Sequence, residues 1–221
     1  MQKDVFSGLK LDNGEPIYTQ EYIQSLRDAD KKHPDKLKII AQRGGQERML
    51  SIDADIKIVG GSRGGSKSFS SLMEVLKDIK NPDFHAIILR NEKDDLQSLV
   101  TDSYKLFSQF GTYNKSQNDM TWNFDNGGWL KFSYYAGAYQ DFKTRFQGRQ
   151  YAYVCIDEGT QCPYKKFKYL LTNNRNAAHI RNRFWITCNP DPESWVRKFI
   201  DWWVDENGYI IPERDGVIRY C

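Results

Sequence analysis

The sequence contains no long apolar run among its 221 residues. An uninterrupted apolar stretch such as Ala86–Leu89 is far shorter than the roughly 20 residues that a helix needs to cross a bilayer. The first residues, Met1–Leu9, also lack the apolar segment of a secretory signal. We therefore expect no membrane partner and no secretion.

Cysteine and histidine are scarce, at four and three residues, and no two cysteines form a C-x-x-C pair. This scarcity argues against a zinc site. Three of the four cysteines lie in or beside apolar runs, which is typical of buried, reduced thiols and suits a reducing cytosol. The four are Cys155, Cys162, Cys188 and Cys221.

The net charge is only +3, in a chain with 39% apolar and 28% charged residues. This composition is typical of a globular protein, and the charge is too small to indicate nucleic-acid binding by itself, although it allows a local basic face. The length suits one α/β domain, and a second small one remains possible. Residues 1–40 are polar and poorly periodic, so we predict a leader or interaction arm there and the main domain over residues 41–221.

Apolar patterning predicts strands that alternate with helices. The predicted strands are Ile56–Gly60, Phe84–Leu89, Tyr151–Ile156 and Phe184–Cys188, with a hairpin of Met120–Phe124 and Trp129–Tyr135. The predicted helices are Ser66–Lys80, Asp94–Phe110, Pro163–Leu171 and Ser194–Val204. This alternation indicates an α/β fold with an open, largely parallel sheet, helices on both faces and an inserted β-hairpin.

A glycine-rich loop follows the first predicted strand and resembles the phosphate-binding template G-x-x-x-x-G-K-[ST]. The loop consists of Gly61, Ser62, Arg63, Gly64, Gly65, Ser66, Lys67 and Ser68. Ser66 replaces the second glycine of the template, but backbone N–H groups and the start of the following helix can still bind phosphates. We predict that Lys67 reaches the β- and γ-phosphates of ATP and that Ser68 is a ligand of Mg²⁺. The alternative is an ordinary strand–turn–helix connection.

Two acids, Asp157 and Glu158, directly follow the strand Tyr151–Ile156. The carboxyl edge of an open α/β sheet is where ligands bind, so Asp157 is a candidate to hold Mg²⁺ through water. Glu158 is then a candidate general base for the water that attacks the γ-phosphate. Two acids after a strand can also form a solvated turn.

The strand Phe184–Cys188 ends in the dipeptide Asn189-Pro190. A small polar residue at this edge can contact the γ-phosphate or the attacking water, so Asn189 is a further candidate. Asn-Pro is also a common turn sequence, and the spacing alone does not decide between the two.

Together these motifs resemble the ATPase domain of the large terminase subunit of tailed bacteriophages and herpesviruses, over most of residues 42–200. The loop resembles the family's deviant Walker A, which has an arginine four residues before the lysine. The resemblance implies that Arg63 contacts the nucleotide phosphates. It also implies that a glutamine before the first strand binds adenine, and Gln46 is favoured over Gln42.

Three more segments carry the resemblance. Residues 84–91 are similar to the family's second strand and its arginine, and residues 146–149 to the segment that leads into Walker B. Cys155–Glu158 matches Walker B with its trailing glutamate. The segment 187–190 resembles the coupling motif that links hydrolysis to domain movement, which implies coupling roles for Thr187 and Asn189.

The resemblance implies an enzyme that hydrolyses ATP and moves double-stranded DNA into a procapsid. The implied partners are double-stranded DNA, the portal protein, the small terminase subunit and further copies of the chain in a ring on the portal. The implied location is the host cytoplasm, transiently at the portal vertex. Family members carry a C-terminal nuclease domain, for which no room remains before Cys221, so we expect no nuclease activity.

Basic residues fall into two groups outside these motifs. The stretch Tyr164–Tyr169, with Arg175, Arg181 and Arg183, either lines a DNA backbone or forms a solvated helix face. Lys143, Arg145 and Arg149 precede the Walker B strand, and we select Arg145 as the candidate finger for a neighbouring subunit's ATP.

The alternative functions are another RecA-like or helicase-type ATPase and a nucleotide-dependent assembly switch with little turnover.

Overall fold

The computed structural model describes most of the chain from residue 41 onward. The described residues are 41–42, 45–52, 54–61, 66–114, 116, 119–177, 179–189, 191–207, 209 and 211–214. The chain divides into two compact units, Met1–Ile52 and Asp53–Cys221, and we describe each by itself. In the first unit, the described residues form one helix, α1 (Gly45–Ser51).

The second unit is built on a sheet of seven strands. These are β1 (Ile56–Val59), β2 (His85–Arg90), β3 (Gly111–Asn114), β4 (Thr121–Phe124), β5 (Trp129–Tyr134), β6 (Tyr153–Ile156) and β7 (Arg183–Thr187). The strand order is β1-β7-β6-β2-β5-β4-β3. The first five strands in this order are parallel, and β4 and β3 continue the sheet in antiparallel pairing.

Helices cover both faces of this sheet. They are α2 (Lys67–Val75), α3 (Leu96–Phe107), α4 (Tyr139–Phe146), α5 (Tyr164–Asn173) and α6 (Trp195–Ile200), with 3₁₀ turns at Gly159–Gln161, Asp201–Trp203 and Pro212–Arg214. On one face, Phe142 and Phe167 from α4 and α5 pack in a buried apolar cluster with Ile87 and Ile186 of the central strands. On the other face, the Tyr153 hydroxyl donates to a carbonyl oxygen of α2 at 2.8 Å. None of the described helices is long and apolar enough to span a bilayer.

The predicted fold class is confirmed, and the differences lie in individual elements. The helix predicted over Ser66–Lys80 ends at Val75, after which the chain continues in tight turns whose buried Ile79 extends the apolar periodicity. Strand β3 and helix α4 were not predicted, because β3 is a short polar edge strand and α4 buries only Phe142 and Phe146. The second hairpin strand, β5, is also a parallel partner of β2, so the hairpin belongs to the main sheet.

Three of the four cysteines are buried free thiols, as predicted. Burial raises the pKa of the Cys162 thiol to about 12, which keeps it protonated and unreactive at neutral pH. Cys221 lies outside the described residues.

A buried ionic cluster attaches α2 to the sheet. The fully buried carboxylate of Glu74 in α2 lies 3.2 Å from Lys57 Nζ of β1 and 3.0 Å from Arg183 Nε of β7. Lys77 Nζ lies 3.0 Å from the same carboxylate, and Arg183 also pairs with Asp78. Burial lowers the pKa of Lys57 to about 8, although the charge of Glu74 opposes this shift. Glu74 is therefore the shared anion for three cations.

Replacing Glu74 should destabilise the domain far more than replacing Lys57. Glu74→Gln leaves buried cations without their anion, and we expect a loss of about 3–5 kcal/mol in the free energy of unfolding. Lys57→Met removes a charge that burial already penalises and leaves Glu74 with two cations, so we expect a loss of under about 1.5 kcal/mol. Urea denaturation of both variants measures the difference, and equal losses would contradict the shared-anion description.

Candidate nucleotide site

The strand registers align three polar residues at the carboxyl edge of the sheet. Arg90 ends β2, Asp157 follows β6 and Thr187 ends β7, and the pairing of these strands places them side by side. Val59, the last residue of β1, pairs with Thr187, so the loop after β1 starts at the same level. The edge where ligands of open α/β sheets bind is therefore lined by a cation, an acid and a hydroxyl.

Asp157 is the centre of this arrangement. Its carboxylate has no exposed surface and accepts hydrogen bonds from three side chains. The Ser68 hydroxyl lies 2.8 Å from Oδ1 and 3.0 Å from Oδ2, the Thr187 hydroxyl donates to Oδ1 at 2.5 Å, and Arg90 Nε donates to Oδ2 at 2.6 Å. A buried carboxylate needs such donors because it has left its hydration shell.

The ends of the glycine-rich loop adopt conformations that suit glycine. Gly61 has φ +144°, and Ser66, at the start of α2, has φ +56° and ψ +16°. Ser66 occupies the position of the template's second glycine, and its left-handed backbone costs about 1–2 kcal/mol relative to a right-handed one. Its carbonyl oxygen accepts from both the backbone and the hydroxyl of Ser70 at 2.8 Å.

Lys67 lies at the junction of the loop and the sheet edge. Its Nζ donates to the carbonyl oxygen of Gly61 at 2.8 Å and lies 3.4 Å from Asn189 Oδ1, so the side chains of Lys67 and Asn189 are neighbours at this edge. The middle of the loop, Ser62–Gly65 with Arg63, lies outside the described residues. The phosphate contacts assigned to it remain predictions.

Glu158 adopts a left-handed backbone conformation, with φ +59° and ψ +46°. Its N–H donates to the Thr187 hydroxyl at 3.0 Å, and its carbonyl oxygen accepts from the Tyr135 hydroxyl at 3.2 Å. These bonds hold a conformation that a non-glycine residue rarely adopts, and such strain concentrates at functional sites. The carboxylate is 42% exposed and accepts from Gln161 Nε2 at 2.9 Å.

The donor set fits a hard divalent cation only in company with other ligands. The Ser68 hydroxyl and the Asp157 carboxylate are oxygen donors of the kind that Mg²⁺ prefers. Among the described residues, however, no group of three or more His, Cys, Asp or Glu could hold a metal. The arrangement therefore suits a metal ion that brings phosphate ligands with it, as in Mg·ATP.

Of the other candidates, Arg145 contacts the end of β5, where Tyr134 pairs with Arg90, and Gln46 belongs to the first unit. The Arg145 guanidinium stacks on the Tyr134 ring at 3.9 Å and donates to the Tyr134 carbonyl oxygen at 2.8 Å, whereas Lys143 and Arg149 are exposed. Gln46 is buried in α1, and its Oε1 accepts from the Gln42 N–H at 2.7 Å.

Two members of the basic group are not surface residues, contrary to the sequence interpretation. Lys166 is buried and donates to the carbonyl oxygens of Tyr135 at 2.5 Å and Gly137 at 2.7 Å. Arg183 is buried in the cluster around Glu74. Lysine and arginine side chains can both pair with buried acceptors. A run of basic residues in the sequence therefore does not indicate which side chains reach solvent.

Sequence reasoning missed several residues of the site. Arg90 had entered only through the family resemblance, although an arginine directly after a buried apolar strand is itself a signal. Gly159 fits tightly, because a Cβ there would lie 2.3 Å from Ile186 Cγ2. Tyr135 and Gln161, which hold Glu158, carry no signal in the sequence, because their role depends on tertiary packing.

In this largely parallel sheet, a glycine-rich loop joins β1 to α2, and two acids follow β6. This arrangement is the fold of the P-loop NTPases. A family model described as "Terminase large subunit, T4likevirus-type, N-terminal" matches residues 58–217. That range covers 160 of the 221 residues, and the chain belongs to this family. No curated protein sequence matches the chain.

Solved structures of phage large terminases share the fold. The ATPase domain of the Thermus phage P74-26 large terminase matches with a TM-score of 0.56 at 12% identity, covering 86% of this chain and 76% of that one. The HK97 bacteriophage large terminase matches with a TM-score of 0.55 at 11% identity, covering 76% and 37%. The large terminase of a thermophilic bacteriophage matches with a TM-score of 0.53 at 16% identity, covering 76% of this chain, which spans 41% of its length.

Replacing Thr187 tests the hydrogen bonds at the centre of the site. Thr187→Val keeps the shape but removes the donor to Asp157 and the acceptor for the Glu158 N–H, so we expect a loss of about 1–3 kcal/mol in the free energy of unfolding. Thr187→Ser keeps the hydroxyl and should lose less. A serine variant as unstable as the valine variant would assign the effect to the methyl group instead.

Proposed function

We propose that this chain hydrolyses ATP and that hydrolysis drives double-stranded DNA into a procapsid. The observation that carries the proposal is the meeting of Ser68, Asp157 and Glu158 at one sheet edge, beside Lys67. Family membership supports the motor context. The large terminase of the same thermophilic bacteriophage, in a crystal form that shares the fold with a TM-score of 0.52, was solved in complex with ADP.

The proposed nucleotide-binding residues are those of the loop and one residue of the first unit. We assign phosphate binding to Gly61, Ser62, Arg63, Gly64, Gly65, Ser66, Lys67 and Ser68, and adenine binding to Gln46. Ser68 and Asp157 would hold Mg²⁺, which when bound neutralises charge on the phosphates. The side chain of Lys67 is long and flexible, and its compact positive charge is suited to binding phosphate.

Glu158 is the proposed general base. Its partly exposed carboxylate can accept a proton from a water molecule, while its backbone is held by Thr187 and Tyr135. Thr187 and Asn189 contact the two proposed nucleotide-binding residues Asp157 and Lys67, which supports a role for both in coupling hydrolysis to movement. Arg63 would stabilise transition-state charge from within the chain, and Arg145 would act on a neighbouring copy after leaving Tyr134.

We further propose the partners that this function requires. They are double-stranded DNA, the portal protein, the small terminase subunit and further copies of the chain in a ring. The place of action would be the host cytoplasm and, transiently, the portal vertex of the procapsid.

Glu158→Gln should separate nucleotide binding from turnover. The loop, Ser68 and Asp157 remain, so ATP should bind within about threefold of wild type while turnover falls by about 10²-fold or more. Lys67→Ala should instead weaken binding itself. The measurements are ATP affinity by calorimetry and phosphate release at several protein concentrations, with the exposed Glu213→Gln as control.

Normal turnover in Glu158→Gln would make Glu158 an ordinary strand-end acid. Tight ATP binding with no turnover in wild type, even with portal added, would favour the assembly switch over the motor.

The surface of α4 and α5 is the part of the described chain best suited to a DNA backbone. Residues 139–177 present five exposed cations against one exposed acid, Asp141, outside the candidate site. The cations are Lys143, Arg149, Lys165, Lys168 and Arg175. The chain as a whole carries 32 basic and 29 acidic residues, so positive charge is concentrated on this face.

Charge reversal on α5 should weaken DNA binding. The double variant Lys165→Glu/Lys168→Glu should lower affinity for duplex DNA at least about tenfold at low salt and reduce the dependence of log affinity on log salt by about two. Sequence should not matter, because phosphate contacts carry no sequence information. The exposed Lys80→Glu is the control, and equal losses in both proteins would place the DNA surface elsewhere.

A further inference from the structure

We propose that Arg90 closes the Asp157 site to free divalent cations, so that Mg²⁺ enters only together with the triphosphate. The inference rests on the proposed nucleotide site and adds to it a rule for the order of binding. It assigns to Arg90 a role at the buried carboxylate of Asp157, outside the loop.

Arg90 is held in place from two sides. Its Nε donates to Asp157 Oδ2 at 2.6 Å, and its Nη1 donates to the Asp95 carbonyl oxygen at 2.8 Å and to the Ser98 hydroxyl at 3.3 Å. Only 16% of the side chain is exposed. Because the guanidinium bridges β6 and the start of α3, it cannot leave Asp157 without breaking bonds at both ends.

The Asp157 carboxylate has little capacity left for a metal ion. Oδ1 accepts from Ser68 and Thr187, and Oδ2 accepts from Ser68 and Arg90. A carboxylate offers about four lone-pair sites, and three donors already use it, because the single Ser68 proton is shared between the two oxygens. A free cation would therefore have to approach a carboxylate that is fully buried and already paired with a charged donor.

The charge of Arg90 also weakens the attraction of the two acids for a free cation. Asp157 is paired with Arg90, whose Nη2 lies 4.0 Å from Glu158 Oε1, so the one cation offsets both acids in part. Repulsion between charges is strong at a site with no exposed surface, because water screens it poorly. A triphosphate brings several negative charges of its own, which offset the repulsion between Arg90 and the metal ion, while Ser68 can donate to Asp157 and still present a lone pair.

The test uses Mn²⁺ as the probe in nucleotide-free protein. Electron paramagnetic resonance measures the concentration of the unbound ion. Wild type should bind Mn²⁺ no tighter than about 1 mM, the range of weak oxygen-ligand sites. Arg90→Gln should bind it at least about tenfold tighter, because the opposing charge is gone. Arg90→Lys keeps the charge and should stay as weak as wild type.

The substitution Asp157→Asn shows whether the bound Mn²⁺ lies at Asp157 or at other acids. Asp94, Asp95 and Asp102 line a nearby cleft of about 510 Å³ and can attract Mn²⁺ themselves. Binding gained in Arg90→Gln must therefore disappear in Arg90→Gln/Asp157→Asn. Circular dichroism and thermal melting establish that each variant is folded.

Three results would overturn the inference. They are Asp157-dependent Mn²⁺ binding to nucleotide-free wild type well below about 1 mM, no gain in folded Arg90→Gln, and a gain in Arg90→Lys equal to that in Arg90→Gln. If Arg90→Gln does not fold, wild type and Arg90→Lys still decide, since tight binding by either contradicts the role of the charge. A gain in Arg90→Gln without ATP binding in any variant would contradict the proposed function but not the exclusion of free cations.

Discussion

The burial of one carboxylate, that of Asp157, constrains the rest of the site. An acid without exposed surface must receive hydrogen bonds from the protein, and Asp157 receives them from α2, β2 and β7 through Ser68, Arg90 and Thr187. Three elements that are distant in sequence are therefore fixed to one point. A shift in any strand register would leave donors or the acid unpaired, which is costly at a buried position.

The position of Glu158 follows from the same constraint. Thr187 donates to Asp157 and accepts from the Glu158 N–H, so a single hydroxyl fixes both acids. The chain must then turn sharply, with Glu158 in a left-handed conformation and Gly159 against Ile186. This geometry directs the Glu158 carboxylate toward solvent while Asp157 stays buried, and two adjacent acids thus acquire different environments.

Much of this could be predicted from the sequence, because the signals are local. The loop between Gly61 and Ser68, the acids after β6 and the alternation of strands and helices all depend on spacing along the chain. What could not be predicted depends on long-range packing. Lys166 and Arg183 are residue types that usually lie on the surface, but Lys166 donates to a buried carbonyl oxygen and Arg183 pairs with the buried carboxylate of Glu74. The fold gives Arg90 its partner, 67 residues away in sequence.

We propose above that Asp157 and Ser68 bind ATP through Mg²⁺. The most direct test is the ATP affinity of wild type and Asp157→Asn, each measured by calorimetry with Mg²⁺ and with a chelator. We expect Mg²⁺ to strengthen ATP binding in wild type by at least about tenfold, and we expect Asp157→Asn to lose most of this gain while its affinity in chelator stays close to that of wild type. A folded Asp157→Asn variant that retains the full effect of Mg²⁺ would contradict the assignment of Asp157 to the metal site.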